Sequence, residues 1–268
     1  MAKKKKQKST TLKPSWFAFF LFGIALGIYS QHVPEIREAT ESILSSSSSS
    51  SQRLNMSHPI SSFEIHRPGY SLTYDARHRN PSWVYEHLTN DSLQGDAERI
   101  SEFKEDENIP KHLRSTTADY KGQGFDRGHM ASAADHRSSQ EAMNDTFYMT
   151  NMCPQCPELN RGYWAQLEKH IRDLTKTYQD VYAITGPLYL PATENSGKRY
   201  VKYQVIGKND VAVPTHFFKV IRFGKNEAKA YILPNKPIAS DTPLDTFQTT
   251  LETVEKEAGL ILQSSIVP

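Results

Sequence analysis

Gly124-Phe125-Asp126-Arg127-Gly128-His129-Met130 sets an acid, a guanidinium and an imidazole within four residues, with glycines at 124 and 128. Gly124 and Gly128 permit sharp backbone turns or the close approach of another group. An adjacent Asp can hold a His in one tautomer, and an Arg offers paired donors that match a phosphate. Taken alone, the tetrapeptide Asp126–His129 reads equally well as a surface turn with a solvated ion pair.

Downstream, Trp164, Leu167, Ile171 and Leu174 recur at spacings of three, four and three, which predicts a helix. Asn160 precedes that stripe, Glu168 lies eight residues on, and Arg172 four further. At about 100° per residue, Asn160 and Glu168 sit about 80° apart and Arg172 about 40° beyond, so all three share one broad face. A capping Asn with an ordinary i,i+4 Glu–Arg pair is the competing reading of the same residues.

Around these segments the pattern is strand-rich. Tyr70 to Tyr74 and Trp83-Val84-Tyr85 read as a hairpin around the turn-rich Arg77–Pro81. Val181 to Thr185 reads as a strand stopped by Gly186-Pro187. Tyr200 to Ile206 and Val211 to Val213 read as a second hairpin across Gly207–Asp210, and Phe217 to Phe223 and Ala230 to Leu233 as two more strands. A second helix is expected over Leu244 to Ala258. Few helices and no regular βαβ alternation make the class α+β, with a mostly antiparallel sheet.

Charge is unevenly placed. Six lysines and no acid occupy residues 1–13; without them 26 basic residues face 30 acidic ones. Overall charge therefore gives no support to polyphosphate binding, and any such surface must be a local cluster of Arg and Lys. The two cysteines, in Cys153-Pro154-Gln155-Cys156, exclude a disulfide framework. They lack the further ligands of a zinc site and the βαβ context of a redox motif, so they read as structural thiols.

Residues 1–31 read as a basic leader with an uncharged apolar stretch, Trp16 to Tyr29. Fourteen helical residues span about 21 Å, short of the roughly 30 Å hydrocarbon core. A retained anchor, a cleaved signal and a core helix all stay open. Residues 32–62, with seven consecutive serines from Ser45 to Ser51, read as a disordered linker. The folded domain is expected over 63–268.

The run Ala118 to Arg172 carries a resemblance. Ala118-Asp119-Tyr120, Gly124 to His129, Asp145-Thr146-Phe147-Tyr148, Pro154-Gln155 and Leu159-Asn160 resemble the DNA/RNA non-specific endonucleases, and within them the mitochondrial endonuclease G branch most of all. The likeness continues through Thr185 to Pro191, Tyr200 to Asn209 and Val211 to Val220, covering roughly residues 64 to 262.

What the resemblance implies is a ββα-metal finger on a central, mostly antiparallel sheet flanked by helices. The implied activity is sugar-non-specific hydrolysis of phosphodiester bonds in DNA and RNA. His129 corresponds to the general base, Asn160 to the single direct protein ligand of a hydrated Mg²⁺, and Glu168 to the holder of metal-bound water; Mn²⁺ is the substitute ion. Asp126 and Asn151 correspond to supporting positions, and Arg127, Arg172 and, through a looser match, Arg114 to arginines near the phosphate. A homodimer and a mitochondrial address, in the intermembrane space behind an inner-membrane anchor, are also implied, with a secretory or periplasmic address as the alternative. The competing reading is a catalytically weak relative that binds nucleic acid or a partner; His129, Asn160 and Glu168 standing together argue against it. His216 reads as a satisfied core histidine, and His136 and His170 as surface or supporting groups.

Overall fold

The computed structural model describes residues 59–100 and 102–262. The leader and nearly all of the expected linker lie outside them. Among the described residues no helix is long and apolar enough to cross a membrane.

In chain order the strands are β1 (Ser62–His66), β2 (Tyr70–Asp75), β3 (Asn80–Leu88), β4 (Asp126–His129), β5 (Met152–Gln155), β6 (Val181–Leu188), β7 (Ala192–Thr193), β8 (Arg199–Tyr200), β9 (Val205–Ile206), β10 (Val211–Ala212), β11 (His216–Phe223), β12 (Glu227–Pro234) and β13 (Gln248–Thr249). The helices are α1 (Asn90–Leu93), α2 (Thr117–Tyr120), α3 (Gln140–Asp145), α4 (Ala165–Leu174) and α5 (Leu251–Ala258), with short 3-10 turns between them. Seven strands form one sheet in the order β1-β2-β3-β6-β11-β12-β13, antiparallel at every step. The fold is α+β.

Period-two patterning decides both faces of that sheet. Leu72, Val84, Ala183, Phe217, Ile221 and Leu233 face one side and pack on Trp164, Leu167 and Ile171 of the Asn160 helix. Phe218, Val220 and Ala230 face the other, against Val254 of α5. Burial of each large side chain stabilises by about 1.5–3 kcal/mol, and cutting Trp164 to Ala removes about 3–5 kcal/mol.

Three expectations are corrected. β6 runs through Gly186-Pro187 to Leu188, because β3 pairs with it only as far as Thr185. β11 carries the pairing on, with Phe217 opposite Pro187 and His216 opposite Leu188, while Pro187 lies beyond the last β3–β6 pair. The expected helix over Leu244–Ala258 splits into a 3-10 turn at Leu244–Phe247, the β13 pairing of Gln248 and Thr249 with β12, and α5. Thr250 caps α5 by accepting the Thr253 N–H at 3.1 Å. The hairpin expected from Tyr200 to Val213 shrinks to β9 and β10, while Arg199 and Tyr200 pair with β7 instead. Val201 and Tyr203 have no apolar face to enter and remain exposed.

Candidate active site

β4 and β5 form a two-stranded ribbon in which Asp126 faces Gln155, Arg127 faces Pro154, Gly128 faces Cys153 and His129 faces Met152. Met130 N–H continues it by donating to the Asn151 carbonyl at 3.1 Å. Alternation along β4 puts Asp126 and Gly128 on one face and Arg127 and His129 on the other. Gly128 is required by space: a Cβ there would lie 2.2 Å from Gln155 Oε1, in a buried side chain. Gly124 takes φ +79°, a left-handed turn into the strand.

The His129 face is aromatic. Its ring meets Phe147 edge-on at 5.0 Å and Phe103 at 5.7 Å, and Nε2 is buried without a partner. Burial, aided by the Arg99 and Arg127 charges, lowers the imidazole to about 3, so it is neutral at working pH. Arg127 lies over the Phe103 ring at 4.2 Å.

The Asp126 face is polar. Its carboxylate accepts from Asn160 Nδ2 at 2.9 Å and from Arg161 Nε and Nη2 at 2.8 and 2.6 Å. Burial alone would raise this carboxyl, but the Arg161 and Asn160 hydrogen bonds and the neighbouring arginine charges bring it below its usual range. Asp126 therefore orients Asn160, where sequence reasoning had offered it as the orienter of His129. With Nδ2 engaged, the Asn160 amide oxygen is left to accept.

Asn160 stands in a wide π-helical segment, Leu159–Trp164, that runs directly into α4. The α-helical angles expected between Asn160 and Glu168 do not hold across it, since π turns are wider. All three polar residues of this helix nonetheless meet the chain around and after β4. Glu168 accepts from Ser132 Oγ at 3.1 Å, and Arg172 donates to Asp135 at 2.7 Å. Burial raises the Glu168 carboxyl against the opposing Lys219 and Arg172 charges. Asn151 is fully buried and clamps the chain just past His129, accepting from Ala131 N–H and donating to the Ala131 and Thr146 carbonyls, each at 2.9 Å.

Other groups sit elsewhere. Arg114 donates to the Ile109 carbonyl at 2.6 Å and the Glu107 carbonyl at 3.3 Å, bracing its own loop. His136 is no surface group: it is buried 3.1 Å from Glu86. His216 is half-buried against Thr215 Oγ1 at 3.0 Å. Cys153 is a buried free thiol, and Cys156, also free, lies 3.0 Å from Glu158. No hydrogen bond among the described residues joins His129 to Asn160 or Glu168.

Sequence reasoning missed Arg161, Phe103, Phe147, Ser132 and Asp135. Phe147 lies in a motif that carried the family likeness, and Arg161 adjoins Asn160, but nothing local marks what either touches.

The family model for DNA/RNA non-specific endonucleases matches residues 48–267. Mitochondrial endonuclease G of Bos taurus is 52% identical over 206 residues, which cover 75% of this chain and 69% of that one. Nuclease C1 of Cunninghamella echinulata var. echinulata is 50% identical over 204 residues, covering 73% and 81%. A crystal structure of the EndoG/EndoGI complex superposes with a TM-score of 0.71 at 48% identity, covering 74% of this chain and 84% of that one. The chain therefore belongs to the DNA/RNA non-specific endonuclease family and is an endonuclease.

Proposed function

We propose that this endonuclease hydrolyses phosphodiester bonds in both DNA and RNA, with His129 as general base and one hydrated Mg²⁺ held directly by Asn160. The observation that carries the reading is the Asp126–Asn160 contact, which fixes the amide so that its oxygen can serve as a ligand.

The family is one of metal-dependent nucleases. The residues fit a hard cation: an amide oxygen from Asn160 beside the Asp126 carboxylate, with the Glu168 carboxylate further along the same helix. No group of three or more His, Cys, Asp or Glu able to hold a metal occurs among the described residues. A single direct ligand suits Mg²⁺, which keeps much of its water. When bound, Mg²⁺ supplies positive charge to the leaving oxygen.

The chain's own residues do the rest. His129, held neutral by its aromatic walls, takes the proton of the attacking water. Arg127, on the same face of β4, meets the phosphate. Glu168 would hold water beside a bound ion, Asp126 fixes the Asn160 amide, and Asn151 holds the backbone that aims His129. Arg172 is already engaged by Asp135 and braces the Glu168 turn. Contacts to phosphate rather than to base edges make cutting insensitive to sequence and sugar.

The catalytic unit is residues 63–268, behind leader 1–31 and linker 32–62. Relatives named mitochondrial support a mitochondrial address; the leader as inner-membrane anchor, the intermembrane space and a homodimer complete the proposal. Purified protein should nick plasmid DNA and degrade RNA with Mg²⁺ and stop on chelation. Activity indifferent to chelator would sink the metal-based mechanism.

A further inference from the structure

Eight large apolar side chains stand exposed among the described residues, and four of them, Tyr200, Val201, Tyr203 and Val205, fall within six consecutive positions. Their exposure runs from 38% at Tyr203 to 50% at Val201. Val201–Gln204 lies between β8 and β9 and belongs to neither strand. An apolar strip concentrated in this way marks a contact surface, unlike the single exposed side chains found elsewhere.

Charge selects the partner. Residues 194–210 hold Lys198, Arg199, Lys202 and Lys208 against Glu194 and Asp210, while the chain beyond residue 13 is net acidic. Basic and aromatic residues interleave as Arg199, Tyr200, Lys202 and Tyr203. Lys202 Nζ lies 5.3 Å from the Tyr200 ring centre and also pairs with Glu194. The Tyr203 ring is braced by Tyr189 at 4.8 Å and His78 at 5.6 Å. Exposed rings beside cations suit unpaired nucleotides, since every base offers a π-face and every nucleotide a phosphate.

The chain just after the strip packs beside the catalytic ribbon. Ile206 packs in one apolar cluster with Tyr120, Phe125 and Met152, the last being the cross-strand partner of His129. Gly207, at φ +69°, lets the loop lie on Asp119, where a Cβ would come within 2.4 Å. Asn209 then donates to the Asp119 carboxylate from its backbone at 3.1 Å and its side chain at 2.9 Å. The segment is thus pinned to the chain that leads into β4.

We propose that Arg199–Tyr203 is a single-strand subsite: Tyr200 and Tyr203 stack on unpaired bases while Arg199 and Lys202 meet the flanking phosphates. This rests on the endonuclease reading and adds to it a second contact for single-stranded segments of the substrate. A stacked duplex offers no free base faces to the two rings.

The test is binding of the full-length protein in chelator, where cleavage is suppressed, to a 2-aminopurine-labelled single strand and to the matching duplex. Tyr200→Ala should weaken single-strand binding about fivefold to a hundredfold, and Tyr200→Phe and the duplex should each change less than about twofold. Lys202→Gln should flatten the salt dependence by about one phosphate contact. Unchanged single-strand affinity in Tyr200→Ala overturns the proposal. Unchanged affinity with a shifted sedimentation coefficient overturns it too, and assigns the strip to contact between copies of the chain. Plasmid nicking with Mg²⁺, run in parallel on the wild-type protein, reports the endonuclease reading separately.

Discussion

The two faces of β4 differ in nearly every physical respect, although they alternate along four residues. On one face, Phe103 and Phe147 wall in His129 and keep its imidazole neutral. On the other, Asn160 and Arg161 converge on Asp126 and keep its carboxylate ionised. On the proposed reading, one short strand serves two opposed requirements: a base that must stay unprotonated and a metal shell that needs a fixed charge. Period-two alternation separates the two environments without needing a longer segment.

Removing the proposed base should produce the largest effect. His129→Ala is expected to lower kcat for plasmid nicking by about 10²–10⁴-fold with the melting transition retained. Full activity in that variant would remove His129 from the mechanism. Asn160→Ala, on the polar face, should raise the half-saturating Mg²⁺ concentration by about 10–100-fold, and excess Mg²⁺ should recover part of the lost rate. No recovery at any metal concentration would mean that Asn160 is not the ligand.

The smallest effect concerns stability and pH. His129 is lowered to about 3 in the fold, against 6.5 as a free side chain. The unfolded chain therefore takes up a proton below pH 6.5 that the folded chain refuses, and stability is lost as pH falls from 6.5 towards 3. Between pH 7.5 and 5 this one group should contribute about 2 kcal/mol of the loss. Denaturant unfolding of the wild type and of His129→Leu at both pH values checks it: the variant should lose less on acidification. Equal losses would place His129 in a more open environment.

How much of this was legible in the sequence follows from the range of each contact. Gly124, Gly128 and the Trp164–Leu174 stripe were readable because turn chemistry and helical spacing are local, whereas Asn160 and Glu168 were singled out by the family resemblance, since the π turn breaks the α-helical spacing between them. Asp126 was assigned the wrong neighbour because adjacency along a strand does not mean a shared face. Arg161 and Phe103 were missed because their contacts, to Asp126 and to Arg127 and His129, cross some 24 to 35 residues of chain. The split of the last helix is set by tertiary partners: two β-bridges to Ala230 and Tyr231 override helix propensity. The strand through Gly186-Pro187 was hidden because it is set by pairing with β11, some thirty residues further along the chain.

The division of labour across β4 is tested most directly by titrating Mg²⁺ against the residual nicking rate of His129→Ala. The expected result is a half-saturating Mg²⁺ concentration within about twofold of wild type, because the proposed metal face is intact while the rate has collapsed. A shift as large as that of Asn160→Ala would show that His129 helps to hold the ion, and would contradict the separation of base from metal.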